Sequence, residues 1–220
     1  DISYQFDRMD EYIRKNVPMS RDVNEKALLN FEQQFPWDEA NILVNKFTEQ
    51  YNKKFNTKHE PEYYDFPWFE NKCKKIHCDT RRVIDAVGSL GGGNHFIEFG
   101  RSDKSNDIWL TIHSGSRNFG KRVCEFWQTM AFKDRQYARN VVFKERLDKI
   151  RREYFKKELE IEIHNLREEI GFGKPTDLDW LEGEHLFGYC CDMIFAQIYA
   201  SLNRKFIVRT IKNFSKDFKK

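Results

Sequence analysis

Two short stretches hold most of the side chains able to do chemistry. In GSLGGGNHFIEFG, residues 88–100, three consecutive glycines precede Asn94, His95 and Glu98, and in HSGSR, residues 113–117, His113 is followed by Ser114, Ser116 and Arg117. A glycine run lets the backbone take positive φ and brings N–H groups close to a ligand. Anions are the usual beneficiaries, which makes Gly92 and Gly93 candidates for cradling a nucleotide phosphate. A neutral imidazole is a common metal ligand and an asparagine amide donates well to a phosphate oxygen. His95 and His113 are therefore the candidate metal ligands. The planar fork of Arg117, flanked by the hydroxyls of Ser114 and Ser116, suits a substrate phosphate. Together these residues point to metal-assisted phosphoryl or nucleotidyl transfer.

Positioning them requires strands. Residues 94–99 (NHFIEF) and 107–112 (DIWLTI) are short, apolar and partly β-branched, and the polar segment 100–106 separates them. They predict two adjacent strands with a histidine-bearing loop at an end of each. Alternation puts Asn94 and Glu98 on one face and His95 on the other, so a common site demands an irregular strand entry, which the glycines permit.

Helices surround this centre. Phe6, Met9 and Ile13 predict a first helix that ends at Val17-Pro18. A second pattern, capped by Ser20 or Asp22, runs through Val23, Ala27, Phe31 and Phe35. A third starts at Asp38 with Ile42, Leu43, Phe47 and Tyr51 inward. HEPEYYDFPWFE, residues 59–70, reads as an irregular aromatic cover. Charged helical sequence fills 121–170 and breaks at GFGKP. A last helix carries Leu186, Tyr189, Met193, Ala196, Ala200 and Asn203 on one face. A plain core helix explains all of these except Asn203. The helical pattern then continues to residue 220 without a stop signal, which reads as a cut rather than a natural end. The fold class expected is α+β, with 1–80 a mainly helical cover, 81–120 the strand-loop core and 121–220 mainly helical.

Composition restricts the function classes. A formal charge of +3 gives no overall basic character, so a nucleic-acid partner cannot be read from the total. Five cysteines fit neither a disulfide framework nor zinc-ribbon spacing, and reduced, mostly buried thiols are expected. No bilayer-length apolar run and no secretory leader is visible, so no membrane partner is expected and the cytoplasm is the default location.

GSLGGGNHFIE and HSGSR resemble the two central motifs of the RtcB family of RNA-splicing ligases. The segment 188–204, with Tyr189, Asp192, Met193, Tyr199, Ala200, Asn203 and Arg204, is similar to the family at the same spacing, and IRKNVPMS more weakly so. The resemblance implies an RtcB-like fold and a GTP- and manganese-dependent ligase. Such a ligase joins 2′,3′-cyclic-phosphate or 3′-phosphate RNA ends to 5′-hydroxyl ends in tRNA splicing or RNA repair. It further implies that His95 and His113 bind manganese, two ions being expected in the complete site. By the same resemblance Asn94 and Glu98 contact the nucleotide and metal-bound phosphates, and Arg117 engages the phosphate of the RNA end. tRNA and an accessory activation factor are partners that the family admits.

The departures are specific. No Asp-x-x-Cys precedes Gly88, no histidine among the six sits in a motif like the family's guanylate-accepting loop, and Asn118 stands where the family has glycine. The chain is therefore expected to be the central part of one RtcB-like domain, inactive in ligation by itself. Two alternatives use the same residues: a metal-dependent phosphohydrolase or nuclease, and a non-catalytic RNA-binding RtcB-like protein.

Overall fold

The computed structural model describes residues 2–105, 107–173 and 179–217. They form two compact units, one of residues 1–123 and 190–220, the other of residues 124–189. The structure is mixed and helix-rich, in agreement with an α+β class, and its sheet has two strands.

In the first unit, α1 (Ile2–Asn16) ends before Val17-Pro18 as expected. No helix follows at once. Ser20 takes a left-handed φ of 58°, and the Asn24 amide and backbone N–H bond to the carbonyls of Asp85 and Val87 instead of to a helical turn. The expected helix through Val23 and Ala27 is thus replaced by tertiary hydrogen bonding, and only α2 (Phe31–Gln34), capped by Asn30, survives from that pattern.

α3 (Trp37–Phe55) forms with its face rotated from the expected one. Ala40, Val44 and Tyr51 are buried, whereas Ile42 and Leu43 are exposed. Buried Asn41 fixes this rotation, since its amide donates to the Tyr64 carbonyl and its Oδ1 accepts from the Tyr64 N–H. The aromatic segment 59–70 is irregular only as far as Asp65. There the carboxylate caps α4 (Phe66–Lys75), with Pro67 in the first turn where its missing N–H costs nothing. Asp79 caps the short α5 (Thr80–Asp85) in the same manner.

Phe31, Phe35, Phe69, Phe119, Phe195 and Tyr199 make the core of this unit, with ring centroids 4.6 Å apart for Phe31 and Phe69 and 4.9 Å for Phe35 and Phe195. Phe195 and Tyr199 lie on α8 (Gly183–Asp217). Ala196, Ala200 and Asn203 of the expected face are buried with them, whereas Met193 is exposed. Lys72 and Asp192, both buried, pair at 2.7 Å behind the aromatic core.

The strands β1 (Phe96–Arg101) and β2 (Ile108–His113) start one or two residues later than expected and pair antiparallel, Phe96 opposite His113. α6 (Arg117–Glu153) begins directly after the second loop. The second unit contains most of α6, then α7 (Lys156–Glu169) and the first turns of α8. There Arg146 grips Glu169 with both guanidinium nitrogens, at 2.6 and 2.8 Å, and Trp127 packs on Gly188 where no Cβ would fit. The break expected at GFGKP starts with left-handed Gly171 and Gly173, and its remainder lies outside the described residues. Cys73, Cys78 and Cys191 are buried free thiols. Among the described residues no helix is long and apolar enough to cross a membrane.

Candidate metal and phosphate site

The hairpin has one apolar face. Ile97, Phe99, Leu110 and Ile112 pack on Ile13, Val17, Leu90, Ile207 and Ile211. Alternation then sends Phe96, Glu98, Thr111 and His113 to the other face. The Phe96 ring stacks on His113 at 5.3 Å and 11°. His95 precedes the first ladder pair, so the alternation does not govern it. Residues 92–94 turn, with Gly93 at a φ of 69°, and the His95 ring comes to 5.6 Å from the His113 ring at 71°. The two histidines from separate loops therefore lie together.

The glycine on which this geometry depends is Gly91. A Cβ there would fall 2.0 Å from His95 Nδ1 and 2.7 Å from Arg117 Nη1, both of which rest against the same α-carbon. Gly91→Ala is expected to push both side chains out of place while leaving the hairpin ladder intact. NMR would show shifts at the His95 and Arg117 side chains without loss of the cross-strand contacts between β1 and β2.

Arg117 itself has a left-handed φ of 54°. Its Nε donates to Ser89 Oγ at 2.9 Å and its Nη2 to the Ser20 carbonyl at 2.7 Å. Both partners are neutral, and no carboxylate among the described residues pairs with the guanidinium. A part-buried guanidinium oriented by neutral groups is chemically able to receive an anion. Burial, and after it the nearby Arg117 and His113, hold the His95 imidazole below its ordinary pKa. It is thus neutral at physiological pH, the form a metal requires.

The residues present suit a divalent ion in part. His95 Nδ1 is buried against the Gly91 α-carbon without a hydrogen-bond partner, which leaves Nε2 as the ring nitrogen for a ligand. Two imidazoles meet there, and among the described residues no group of three or more His, Cys, Asp or Glu converges that could complete a coordination shell. Asn94 is exposed in the turn before β1, and Glu98 is exposed on the His113 face, across from Thr111. Ser114 is buried, its Oγ accepting from Asn203 Nδ2 at 3.0 Å and lying 3.4 Å from the Ser89 carbonyl. The Ser116 hydroxyl packs over Gly120.

Asn203 and Ser20, outside the two motifs, and Ser89, within the first, build the frame. Fully buried Asn203 accepts from the N–H groups of Gly88 and Ser89 at 2.7 and 3.1 Å, and donates to the Ser89 carbonyl, Ser114 Oγ and the Gly115 carbonyl. One side chain thereby ties both loops together. Ser89 and Ser20 orient Arg117, and the Leu90 N–H fixes the Ser20 turn through the Pro18 carbonyl. A polar residue on an otherwise apolar helix face was the signal for Asn203. For Ser20 it was the weak VPMS similarity, and Ser89 lies within the GSLGGGNHFIE motif although no role was assigned to it.

Two histidines beside an arginine that no carboxylate among the described residues pairs with make a set of groups able to meet a metal ion and a phosphate. A family model described as tRNA-splicing ligase RtcB matches residues 1–220, and the chain belongs to that family. It is similar to RNA-splicing ligase RtcB of Escherichia coli (strain K12) and to RNA-splicing ligase RtcB1 of Escherichia coli (strain ATCC 25922). Each is 42% identical over 50 residues, which cover 23% of this chain and 12% of the relative. No solved structure matches the chain.

Proposed function

We propose that this chain is the central part of a GTP- and manganese-dependent RNA ligase. The enzyme joins 2′,3′-cyclic-phosphate or 3′-phosphate ends to 5′-hydroxyl ends, in the cytoplasm, on tRNA or broken RNA, within an RtcB-like fold. The observation that carries the proposal is the meeting of His95 and His113 beside Arg117, whose guanidinium pairs with no carboxylate among the described residues.

His95 and His113 are the residues that would hold manganese. Bound there, the ion would neutralise phosphate charge and stabilise the charge that develops at the transferring phosphorus. Arg117 binds the terminal phosphate of the RNA and orients it, its fork fixed by Ser89 and Ser20. Asn94 donates to a phosphate oxygen, and the freely turning backbone at Gly92 and Gly93 lets N–H groups approach the nucleotide. Glu98, on the face that carries His113, contacts the metal-bound phosphates. Ser116 flanks the site, while Ser114 acts on it through the Asn203 network that sets the HSGSR loop.

The test uses a protein that contains this segment within a full-length family chain. Given GTP and manganese, it should join a 3′-phosphate RNA to a 5′-hydroxyl RNA, and His113→Ala should abolish joining. Loss of the 3′-phosphate without joining, or cleavage independent of GTP, would establish a phosphohydrolase or nuclease instead. RNA binding with no chemistry would establish the non-catalytic alternative.

A further inference from the structure

Beyond Arg117, the site opens into a cavity of about 480 Å³, of a size that holds a ligand rather than a few waters. It is lined by Arg21, Arg82, Arg117, Lys121 and His95 against a single carboxylate, Asp79. That carboxylate is already engaged, since Asp79 Oδ1 accepts the Arg82 N–H at the start of α5. The guanidinium groups are placed by backbone. Arg117 Nη2 donates to the Ser20 carbonyl, and Arg82 Nη2 donates to the next carbonyl, that of Arg21, at 2.6 Å. The two guanidinium groups therefore hold the carbonyls on either side of the Arg21 α-carbon, with the Arg21 side chain between them in sequence and Lys121 one turn into α6. Like charges gathered in this way repel in the free protein, and an anion relieves the repulsion.

Among the described residues, no phenylalanine, tyrosine or tryptophan lines the cavity. Base recognition in single strands depends on aromatic stacking, whereas backbone recognition depends on cations alone. A guanine nucleotide seated here would leave its base without a platform. We propose that the Arg21, Arg82 and Lys121 part of this cavity is a second phosphate subsite. It takes the internal phosphodiester next to the terminal phosphate of a single-stranded RNA, irrespective of base. The assignment rests on the reading of Arg117 as the terminal-phosphate residue. It gives the site a strand direction, because an RNA whose end lies at Arg117 must run over the turn at Ser20 and Arg21.

The test is binding of a 5′-fluorescein-labelled hexaribonucleotide to the chain, read by fluorescence anisotropy at low salt. Three forms of the RNA are compared: one ending in 3′-phosphate, one in 3′-hydroxyl, and one with 3′-phosphate but a neutral methylphosphonate at the last internal linkage. The neutral linkage should weaken binding about fivefold or more and flatten the slope of log affinity against log salt by about 0.7, the value for one phosphate contact in a single strand. Arg21→Gln, at an exposed side chain, should weaken the natural RNA to a similar extent. It should also make the natural and neutral-linkage RNAs bind alike. Because the ligand itself is altered, the comparison on the unmodified protein holds even if a variant folds poorly. A preference for 3′-phosphate over 3′-hydroxyl combined with no effect of the neutral linkage would overturn the second subsite and leave the Arg117 reading standing. No preference for 3′-phosphate would overturn the Arg117 reading itself. If GTP competes with the RNA and loses affinity through Arg21→Gln, while the neutral linkage has no effect, the cavity is a triphosphate site and the proposal fails.

Discussion

Arg117→Lys should reduce joining of RNA ends by about 100-fold in a full-length family protein that carries this segment, a loss typical of a removed donor to a reacting phosphate. Covalent attachment of GMP to the enzyme should fall much less. The reason lies in the geometry of the guanidinium. Nε and Nη2 are committed to Ser89 Oγ and the Ser20 carbonyl, and Nη1 stays against Gly91 and His95. Lysine keeps the charge but is a point donor without a fork, so it cannot hold Ser89 and the Ser20 turn while it faces a phosphate. If both steps fell equally, the arginine would act before the RNA end arrives. If neither fell while the melting temperature dropped, Arg117 would be a structural residue only.

Asn203→Ala should destabilise the first unit by about 3 kcal/mol. The substitution strips the Gly88 N–H of its acceptor in a place that water does not reach and leaves the Ser89 N–H only its 3.2 Å bond to the Ala86 carbonyl, and a buried donor left unpaired costs about 1–3 kcal/mol. It also removes the amide that joins Ser89, Ser114 and Gly115, so the glycine loop and the HSGSR loop lose their common anchor. Asn203→Asp keeps the acceptor but loses the donor and buries a charge, and it should be no better tolerated. Denaturant unfolding checks the magnitude. The accompanying sign is a wider His95 to His113 separation in whatever fraction remains folded. A loss below about 0.5 kcal/mol, the size of an ordinary surface substitution, would mean that another group replaces Asn203.

Local chemistry was legible in the sequence, and burial was not. The strand pair, the two loops and the requirement for an irregular entry before Phe96 followed from glycine spacing and period-two alternation. The stop at Val17-Pro18 followed from the proline, and the long final helix from apolar residues spaced three and four apart. The segment 20–30 misled because its apolar spacing is helical, whereas the hydrogen bonds of Asn24 to Asp85 and Val87 are formed with residues some sixty positions away. α3 and α8 showed their helical character plainly and concealed which face turns inward. Ile42, Leu43 and Met193 are apolar yet exposed, while Asn41, Asp192 and Asn203 are polar yet buried, because buried polar groups with designated partners fix the rotation. Within the site, residue type revealed the histidines and Arg117. It singled out the right glycine run but not the critical glycine, since only the packing of His95 and Arg117 on one α-carbon distinguishes Gly91 from Gly92 and Gly93. The basic cavity was hidden for a similar reason. Arg21, Arg82 and Lys121 stand far apart in a chain of nearly balanced charge and gather only through folding.

The most direct test of the paired-histidine metal site is a titration of the chain with manganese, followed by paramagnetic broadening of the histidine Cε1–H signals in NMR spectra. His95 and His113 should broaden together and before His59, His77, His164 and His185, and His113→Ala should remove the effect at His95. Even a weak two-ligand site would register in this way. If His95 and His113 broaden no sooner than the other four, the two loops do not hold a metal between them and the ligase reading of this chain is contradicted.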